Sequence, residues 1–585
     1  MSELEQKTDE LQERLRASSQ PGSATLPGPS WTAVNELRST HTDNDSRLAS
    51  VAPFFRQDTI APVSFRSFPQ AAESMQTPES LPHDFQSPGT LARSIEGSAV
   101  ESRDIDAMFQ LYFRDYAILL PLLDPSMTPN AYYNLSPFLF WAIIGVACRT
   151  YSKNPTLLSV LPAKIQTMAL MSLGSPQITL PIVQGILLLL QWPFPKTGHG
   201  HDQSFPLSGA VLHMAMQLGL HLPVASQEFS RHRVKLTEDD LKLRAETWGY
   251  CALIYQRFCW FKGAPATPML DIPHDAEQRR ELFQRISPKL KFDLKLQDVV
   301  TRCCIAVAQN GLRMMTREQE SSLDTLLNVF QAQVSSVGMD ATSELAQLYV
   351  QVATLVVQAF ALWKSPTAQD PTTLYDLSVS CCRVLESLEG LEKDGHVKLS
   401  GAGSHFVSCV MVPSHILLRL LKTSFSRYID IERAKTALFL GISLHKRMSV
   451  QNDDTPARNG VALTQLWNSA RVFKRANGTE SVALRIRSRL TTSVILDGVV
   501  WWREEFGGYM GVYPPPLGDH RNEESSRDDA VNGSTTITLP DSTMTPTIKP
   551  DYSTFMDDPM LAEFGWPVSD DIFSSIWTDA NVPTI

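Results

Sequence analysis

Two closely spaced apolar helices constrain the fold of this chain more than any other feature of its sequence. In the second helix, Gly219 stands where a helix end favours a left-handed residue, Leu220 can fold back on the last turn, and Pro223 prevents continuation. Apolar residues upstream recur at steps of three, four and seven, as in a helix that buries one face: Leu207, Val211, Met214, Ala215, Leu218 and Leu222. The sequence therefore predicts a core helix that ends close to residue 218.

The first helix of this stretch is apolar on more than one side. Val183, Ile186, Leu187 and Leu190 form a stripe, while Leu188 and Leu189 fill the opposite side. A helix that is hydrophobic all round is enclosed by others. The pair thus predicts a helical domain in which this helix lies in the middle.

The stretch resembles the middle homology domain of fungal zinc-binuclear-cluster transcription factors. The likeness rests on an apolar helix ending in LLLLQWPF, a polar loop and the sequence LSGAVLHMAMQLGLHLP. The resemblance implies an all-α regulatory domain that acts in transcription, and an unrelated helical bundle with a similarly ended helix is the alternative. The hallmark residues lie within residues 209–221 and are Gly209, Ala210, Met214, Ala215, Leu218, Gly219, Leu220 and His221.

Flanking segments extend this resemblance. Residues 105–109, followed by LLPLLDP, are similar to the start of the family domain, and an arginine-tryptophan helix closing on a glycine-x-proline turn is matched by Arg244, Trp248, Gly263 and Pro265. Gln256 departs from the family pattern, because an aspartate often stands there. The segment is most similar to the branch that contains regulators of leucine biosynthesis, weak-acid resistance and secreted proteases, with the PrtT-type activator of secreted proteases preferred.

The remaining apolar runs predict more helices and no organising sheet. The clearest runs are residues 349–363, 407–421 and 493–506, and no series of alternating strands appears. The chain of 585 residues exceeds the size at which one core stops growing. We therefore predict an all-α domain over residues 102–512, large enough to divide into two helical lobes.

The cysteines do not form a zinc cluster. A binuclear cluster needs six thiolates with Cys-x2-Cys spacing. The sequence has eight cysteines, none before Cys148 and none with that spacing, within mostly apolar runs typical of buried free thiols in a reducing compartment. Zinc is thus expected only with an N-terminal module beyond this chain. Either that module was lost from the recorded sequence, or the protein acts through a partner.

The N-terminal segment carries a short heptad pattern. Leu4, Leu11 and Leu15 recur at seam positions with Thr8 between them. The resemblance implies that residues 1–17 form a dimerising coiled coil, and a solvated helix is the alternative. Residues 18–101 are rich in Ser, Pro, Thr, Gln and Ala, and are predicted to be a disordered linker.

The C-terminal segment alternates acidic and bulky apolar side chains. After a polar linker at residues 513–550, residues 551–585 combine carboxylates with aromatic residues and contain no Lys or Arg. Carboxylates keep such side chains solvated until a coactivator groove binds them, so we predict an activation region. A tail packed on the helical domain is the alternative, and both can coexist as masking. The residues concerned are Phe555, Asp557, Asp558, Leu561, Phe564, Trp566, Asp570, Asp571, Phe573 and Trp577.

No motif for catalysis, metal binding or membrane insertion appears. The sequence has no phosphate loop, nucleophile elbow or His-Glu-x-x-His motif, and His199, His201 and Asp202 stand in a glycine-containing loop that holds no ligand geometry. The longest apolar runs, residues 137–148 and 180–192, are shorter than a membrane span. A net charge of −10 gives no general attraction to DNA phosphates.

These observations predict a nuclear transcriptional regulator rather than an enzyme. Its expected partners are DNA if a zinc module is present, a second copy or a relative in a dimer, and a coactivator complex, with no membrane. An interaction protein that lacks the cluster and modulates a DNA-binding relative is one alternative. A metabolite-sensing helical domain is another.

Overall fold

Helices make up almost all of the regular structure in the described part of the chain. The computed structural model describes residues 89–195, 202–233, 235–268, 276–312, 315–452, 454–475 and 477–506. A short hairpin of β1 (Arg93–Ile95) and β2 (Ser98–Val100) comes first. The helices are α1 (Ser102–Asp115), α2 (Pro129–Leu135), α3 (Pro137–Ala147), α4 (Leu157–Leu173), α5 (Leu180–Gln191), α6 (Ser204–Gln217), α7 (Glu238–Lys262), α8 (Ala276–Arg285), α9 (Pro288–Asn310), α10 (Arg317–Gly338), α11 (Glu344–Ala359), α12 (Pro371–Lys393), α13 (Ser404–Lys422), α14 (Ile431–Met448), α15 (Thr455–Asn468) and α16 (Thr492–Phe506). The all-α prediction is confirmed.

The first hydrophobic core surrounds α3 and α5. In α3 every residue after Pro137 is buried, and in α5 every residue from Val183 to Gln191 is buried, as the apolar surface of that helix predicts. Helices α1, α5 and α4 pack on α3, and α6 and α7 pack on α5. The first core therefore contains the buried apolar residues of both helices of the hallmark stretch.

The second hydrophobic core is built around α13. This helix contacts α11, α12, α14, α15 and α16, and most of its side chains are buried. The predicted runs at 349–363, 407–421 and 493–506 correspond to α11 with its following 3-10 turn, to α13 and to α16.

Two helices belong to both cores. The middle of α7 lies in the first core, whereas Trp260 and Phe261 near its end lie in the second. Leu290 and Leu294 of α9 pack in the first core, and the rest of the apolar face of α9 packs in the second. The surface between the two cores, here called the seam, therefore crosses α7 and α9.

Two core helices are long and apolar enough to cross a membrane by length and composition alone. They are Glu344–Trp363, which joins α11 to its 3-10 turn, and Ser404–Lys422, which is α13. Both are longer than the apolar runs at residues 137–148 and 180–192, which are too short to span a membrane. Their apolar side chains pack inside the second core, an environment that selects the same composition.

The β-hairpin corrects the predicted end of the linker. The sequence predicts a disordered linker over residues 18–101, yet the structure describes residues 93–100 as two paired strands. Lys164 donates to the carbonyl oxygens of Ile95 and Glu96 at 3.3 and 2.7 Å, which fixes the hairpin on α4. The guanidinium of Arg93 lies 3.9 Å from the ring centre of Tyr133. Strands of three residues carry too little alternation to be recognised in a sequence.

The predicted terminal segments lie outside the described residues. The structure gives no description of residues 1–88 or 507–585. The proposed dimerisation residues Leu4, Leu11 and Leu15 and the proposed activation region therefore stay predictions.

Candidate functional site

The hallmark stretch forms a helix end of the Schellman type. The amide of Leu220 donates to the carbonyl of Ala215 at 3.0 Å, and the amide of Gly219 donates to Met216 at 2.9 Å. Gly219 has a φ of 68°, as the sequence predicts. A Cβ atom at this position would lie 2.4 Å from the ring of Phe229, so both the backbone and the packing require glycine.

Arg244 of α7 holds this helix end from outside. Its Nη2 donates to the carbonyl of Leu218 at 2.5 Å, and its Nε donates to the hydroxyl of Ser226 at 3.0 Å. Burial lowers the pKa of this guanidinium from its usual value. A cation at a helix C-terminus also interacts favourably with the helix dipole. The arginine that the resemblance singles out therefore positions the turn between α6 and α7.

His221 and Trp248 complete this contact by packing. The ring of His221 lies 5.2 Å from Phe229 and 5.5 Å from Trp248, and His221 is buried. Gly209 and Ala210 lie on α6 but are only half-buried, so they are less constrained than the residues at the helix end. The hallmark residues thus act mainly in the packing of α6 against α7.

The second family turn closes α7 in the same way. Gly263 has a φ of 64°, and the amide of Ala264 donates to the carbonyl of Cys259 at 2.9 Å. A Cβ atom on Gly263 would lie 2.0 Å from the carbonyl oxygen of Arg489. This close approach joins the end of α7 to the segment that leads into α16.

Hydrogen bonds from two tryptophans fix the seam. That of Trp192 joins the first core to the second, and that of Trp260 ties the end of α7 to the segment before α16 within the second core. The indole of Trp192 after α5 donates to the carbonyl of Gly401 at 2.9 Å, and the indole of Trp260 donates to the hydroxyl of Thr491 at 3.0 Å. Because each of these bonds joins segments far apart in the sequence, the seam is specifically held as well as hydrophobic.

A cluster of polar side chains is buried inside the seam. Arg257 of α7 lies 3.9 Å from the carboxylate of Asp293 and 4.7 Å from the ring centre of Tyr349. Burial raises the pKa of Asp293, and burial followed by the charge of Arg257 holds the pKa of His405 well below its usual value. These residues and Gln297 border a cavity of about 20 Å³, which is room for a water molecule. Arg257, which follows Gln256 in the sequence, therefore makes its ion pair with α9.

A larger cavity, here called the seam cavity, lies at the outer end of the seam. Its volume is about 80 Å³, and its charged lining residues are Arg149, Asp202, Lys262 and Asp454. Lys262 and Asp202 form an ion pair of 2.5 Å in which both side chains are buried. Apolar walls come from Pro193, Phe194, Phe258, Phe261, Val407, Met448 and Val450.

A groove of about 300 Å³ adjoins the seam cavity. It runs between α4 and the end of α5, and it shares Phe194, Asp202 and Ser204 with the seam cavity. Three apolar side chains of α4 are exposed, namely those of Val160, Leu170 and Met171. Of these three, Leu170 lines the groove.

The described residues offer no metal centre. Among them, no group of three or more His, Cys, Asp or Glu side chains is arranged to hold a metal ion. His199 and His201 lie outside the described residues, and Asp202 pairs with Lys262. The side chains of this chain that the structure describes therefore do not fit a zinc cluster.

The eight cysteines are free and buried, as their apolar context predicts. Burial raises the pKa of Cys259 and Cys382 to about 11 and that of Cys148 to about 12. A thiol that stays protonated at neutral pH is a poor nucleophile and metal ligand. These residues therefore serve packing.

Sequence reasoning did not find the seam cavity. The sequence patterns predict no functional role for Arg149, Lys262 or Asp454. A basic residue directly after the apolar run of α3 was a signal, because a cation there must enter the core or its edge. Its contact with residues near 450 depends on tertiary packing that no local pattern encodes.

Comparison with known proteins identifies the hallmark region. Residues 109–254 match the family model described as "Fungal specific transcription factor domain". This match runs from α1 into α7 and includes both the helix end at Gly219 and its contact with Arg244. No solved structure matches the chain.

Three curated relatives are similar over most of the chain. "Putative transcription factor SEF1" of Eremothecium gossypii is 24% identical over 67% of this chain and 37% of its own length. "Regulatory protein LEU3" of Saccharomyces cerevisiae is 21% identical over 71% of this chain and 53% of its own length. "Transcriptional regulatory protein SEF1" of Candida albicans is 21% identical over 81% of this chain and 52% of its own length. The chain thus spans between about a third and about half of the length of these relatives.

Proposed function

We propose, from the match of residues 109–254 to the fungal specific transcription factor domain family, that this chain is a nuclear activator of RNA polymerase II genes. The observation that carries the proposal is the pairing of this domain with the acidic-aromatic segment 551–585. Such segments bind coactivators by folding on contact.

The described domain supports a regulatory rather than a catalytic role. In its described residues the hallmark side chains pack helices together, and Arg257 with the buried Asp293 and His405 of the seam borders a cavity about the size of one water molecule. We propose that this domain holds apart a pairing segment at residues 1–17 and a recruiting segment at residues 551–585.

Deleting the C-terminal segment tests the activator role. We expect the full chain, tethered to a promoter by an unrelated DNA-binding module, to drive a reporter, and deletion of residues 551–585 to reduce expression at least tenfold. Leu539→Ala in the preceding linker is the matched control and leaves the reporter unchanged. Equal expression with and without residues 551–585, at equal protein level, contradicts the proposal.

We further propose which genes this regulator controls. Similarity to the branch with PrtT-type activators makes secreted protease genes, and more widely nutrient-utilisation genes, the first choice. Extracellular protease activity of a strain that lacks the gene tests this choice. Unchanged secretion on protein as the nitrogen source contradicts it.

DNA binding separates the leading proposal from an interaction protein. A zinc module would supply direct contact with DNA, and no such cysteine spacing is present in this sequence. We propose that the chain reaches promoters as a dimer, with a second copy or with a DNA-binding relative, through Leu4, Leu11 and Leu15. A specific gel shift by the purified chain alone would contradict the alternative, in which the chain lacks the cluster and acts only through a DNA-binding relative.

The seam cavity favours metabolite sensing as a second candidate function. A cavity bordered by both cores lets a ligand alter their contact, and a ligand that binds only the folded chain raises its melting temperature. This candidate adds regulation to the activator and does not replace it.

A further inference from the structure

Two opposite charges line the seam cavity without pairing with each other. Arg149 follows the end of α3, and Asp454 precedes α15, on opposite sides of the seam. Both belong to the described part of the chain, and no ion pair joins them, although the charge of Asp454 reaches Arg149. A separated cation and anion in one cavity fit a ligand that carries both charges.

The guanidinium of Arg149 has bonding capacity left. Its Nη1 donates to the carbonyl of Pro193 at 2.5 Å, and its buried Nε has no hydrogen-bond partner. A guanidinium has five N–H donors in a planar fork that matches a carboxylate. A buried donor left unsatisfied is costly, so a ligand oxygen at this position is favoured.

Asp454 also keeps room for one more donor. It is buried, its Oδ1 accepts from the amide of Ala457 at 3.0 Å, and its Oδ2 accepts from Val450 and Gln451 at 2.8 and 3.2 Å. A carboxylate offers about four lone pairs, so three accepted bonds leave one on Oδ1. An ammonium group of a ligand fits this acceptor.

The other charged residues of the cavity compensate each other. Lys262 and Asp202 pair at 2.5 Å and together add no net charge. Between the charged ends the walls are apolar and include Phe258, Val407 and Met448. Small-molecule sites commonly combine such walls with a few polar groups that set orientation.

We propose that the seam cavity binds a small α-amino acid with an apolar side chain, with its carboxylate at Arg149, its ammonium group at Asp454 and its side chain against Val407 and Met448. A volume of about 80 Å³ restricts the ligand to the smaller members of this class. Binding would bridge α3 of the first core and α15 of the second. This inference specifies the metabolite-sensing candidate, and binding to the purified chain tests it apart from the activator role.

The test measures binding of L-valine to the full chain by calorimetry and by melting temperature. We expect saturable binding and a rise in melting temperature with L-valine. Isovalerate, which lacks the ammonium group, and isobutylamine, which lacks the carboxylate, should each bind at least tenfold more weakly. A lack of saturable binding of L-valine, or equal binding of isovalerate, overturns the proposal.

Substitutions test the proposed roles of Arg149 and Asp454 in binding the ligand's carboxylate and ammonium group. Asp454→Asn keeps a side chain that suits the start of α15 but removes the negative charge, and Arg149→Gln keeps a donor but removes the positive charge. Each should weaken L-valine binding at least tenfold, and Val407→Phe should abolish it by filling the cavity. Arg433→Gln, which alters a surface ion pair with Glu386, is the matched control and should bind like the original chain.

The variants also separate specific binding from loss of folding. Circular dichroism identifies a variant that fails to fold, and Asp454→Asn then decides the case, because it preserves the helix cap. Unchanged L-valine affinity in a folded Asp454→Asn variant contradicts the site. The reporter assay tests the activator proposal separately, through deletion of residues 551–585. Ligand binding is measured on the purified chain, so either proposal can fail without the other.

Discussion

Single residues determine the structure where a backbone conformation or a buried charge permits few other amino acids. Gly219 combines a left-handed backbone with contact against Phe229, whereas Gly209 lies inside α6, where a Cβ atom would meet nothing within 4 Å. Both are hallmark residues, yet their physical roles differ. The structure therefore separates a glycine that the fold requires from one that it tolerates.

The two glycines predict stability changes of opposite sign. Gly219→Ala should lower the free energy of unfolding by about 2 kcal/mol, because a side chain disfavours this φ and Phe229 must move. Gly209→Ala should raise it by about 0.5 to 1 kcal/mol, because alanine favours a helix interior. Urea denaturation followed by circular dichroism measures both. Equal effects at the two positions would contradict this assignment.

Buried histidines predict a loss of stability in acid. Burial lowers the pKa of His415 to about 4 and that of His445 to about 3. In the unfolded chain their pKa is about 6.5. Below pH 6.5 the unfolded chain therefore binds protons that the folded chain does not, and stability falls as pH falls, by up to about 1.4 kcal/mol per pH unit for each histidine.

Comparing variants isolates this effect from the carboxylates. The free energy of unfolding of the original chain and of His415→Gln is measured from pH 7 to pH 5. The variant should show a shallower slope, and Ser414→Ala, which removes no titratable group, should keep the original slope. Parallel slopes in the original chain and His415→Gln would show that His415 protonates equally in both states.

At the scale of elements, the sequence predicts where helices lie better than it predicts which segments pack against each other. The stripes of α5 and α6 and the glycine end of α6 follow from local patterns and are present. The β-hairpin was missed because its strands are too short. The seam cavity was missed because Arg149 and Asp454 meet only through tertiary packing, which local periodicity does not encode.

A buried ion pair predicts how α13 and α16 are joined. Arg419 of α13 donates to the carboxylate of Asp497, both side chains are almost fully buried, and the guanidinium lies 4.2 Å from the ring centre of Phe473. Arg419→Met should lower the free energy of unfolding by about 3 to 5 kcal/mol, since it leaves a buried carboxylate without its cation.

A double substitution tests whether the cost comes from the unpaired charge. Adding Asp497→Asn to Arg419→Met should recover part of the lost stability, as measured by urea denaturation. Arg433→Gln at a surface ion pair is the control, with an effect within about 1 kcal/mol. Additive losses in the double variant would contradict the coupling.

At the scale of the molecule, the two cores are joined through α7, α9 and the seam. Because α7 and α9 each contribute to both cores, neither core can lose its structure without exposing apolar residues of the other. We therefore expect the described residues between 89 and 506 to unfold as a single cooperative unit.

A substitution deep in the first core tests this cooperativity. Ile186→Ala, at a fully buried position, should lower the free energy of unfolding by about 2 to 5 kcal/mol. Tryptophan fluorescence and circular dichroism should shift together to lower urea concentration, because the cores unfold together. Exposed Val461→Ala is the control. Two separate transitions in the variant would contradict the shared unit.

The central proposal is that residues 551–585, which follow the helical domain in the sequence, form a separate activating segment. Residues 513–585, fused to an unrelated DNA-binding module, should activate a reporter, and Trp566→Ala with Phe573→Ala should abolish that activity while Leu539→Ala in the same fusion preserves it. A silent reporter with the unaltered segment, at a protein level matched to an active control, would contradict the account.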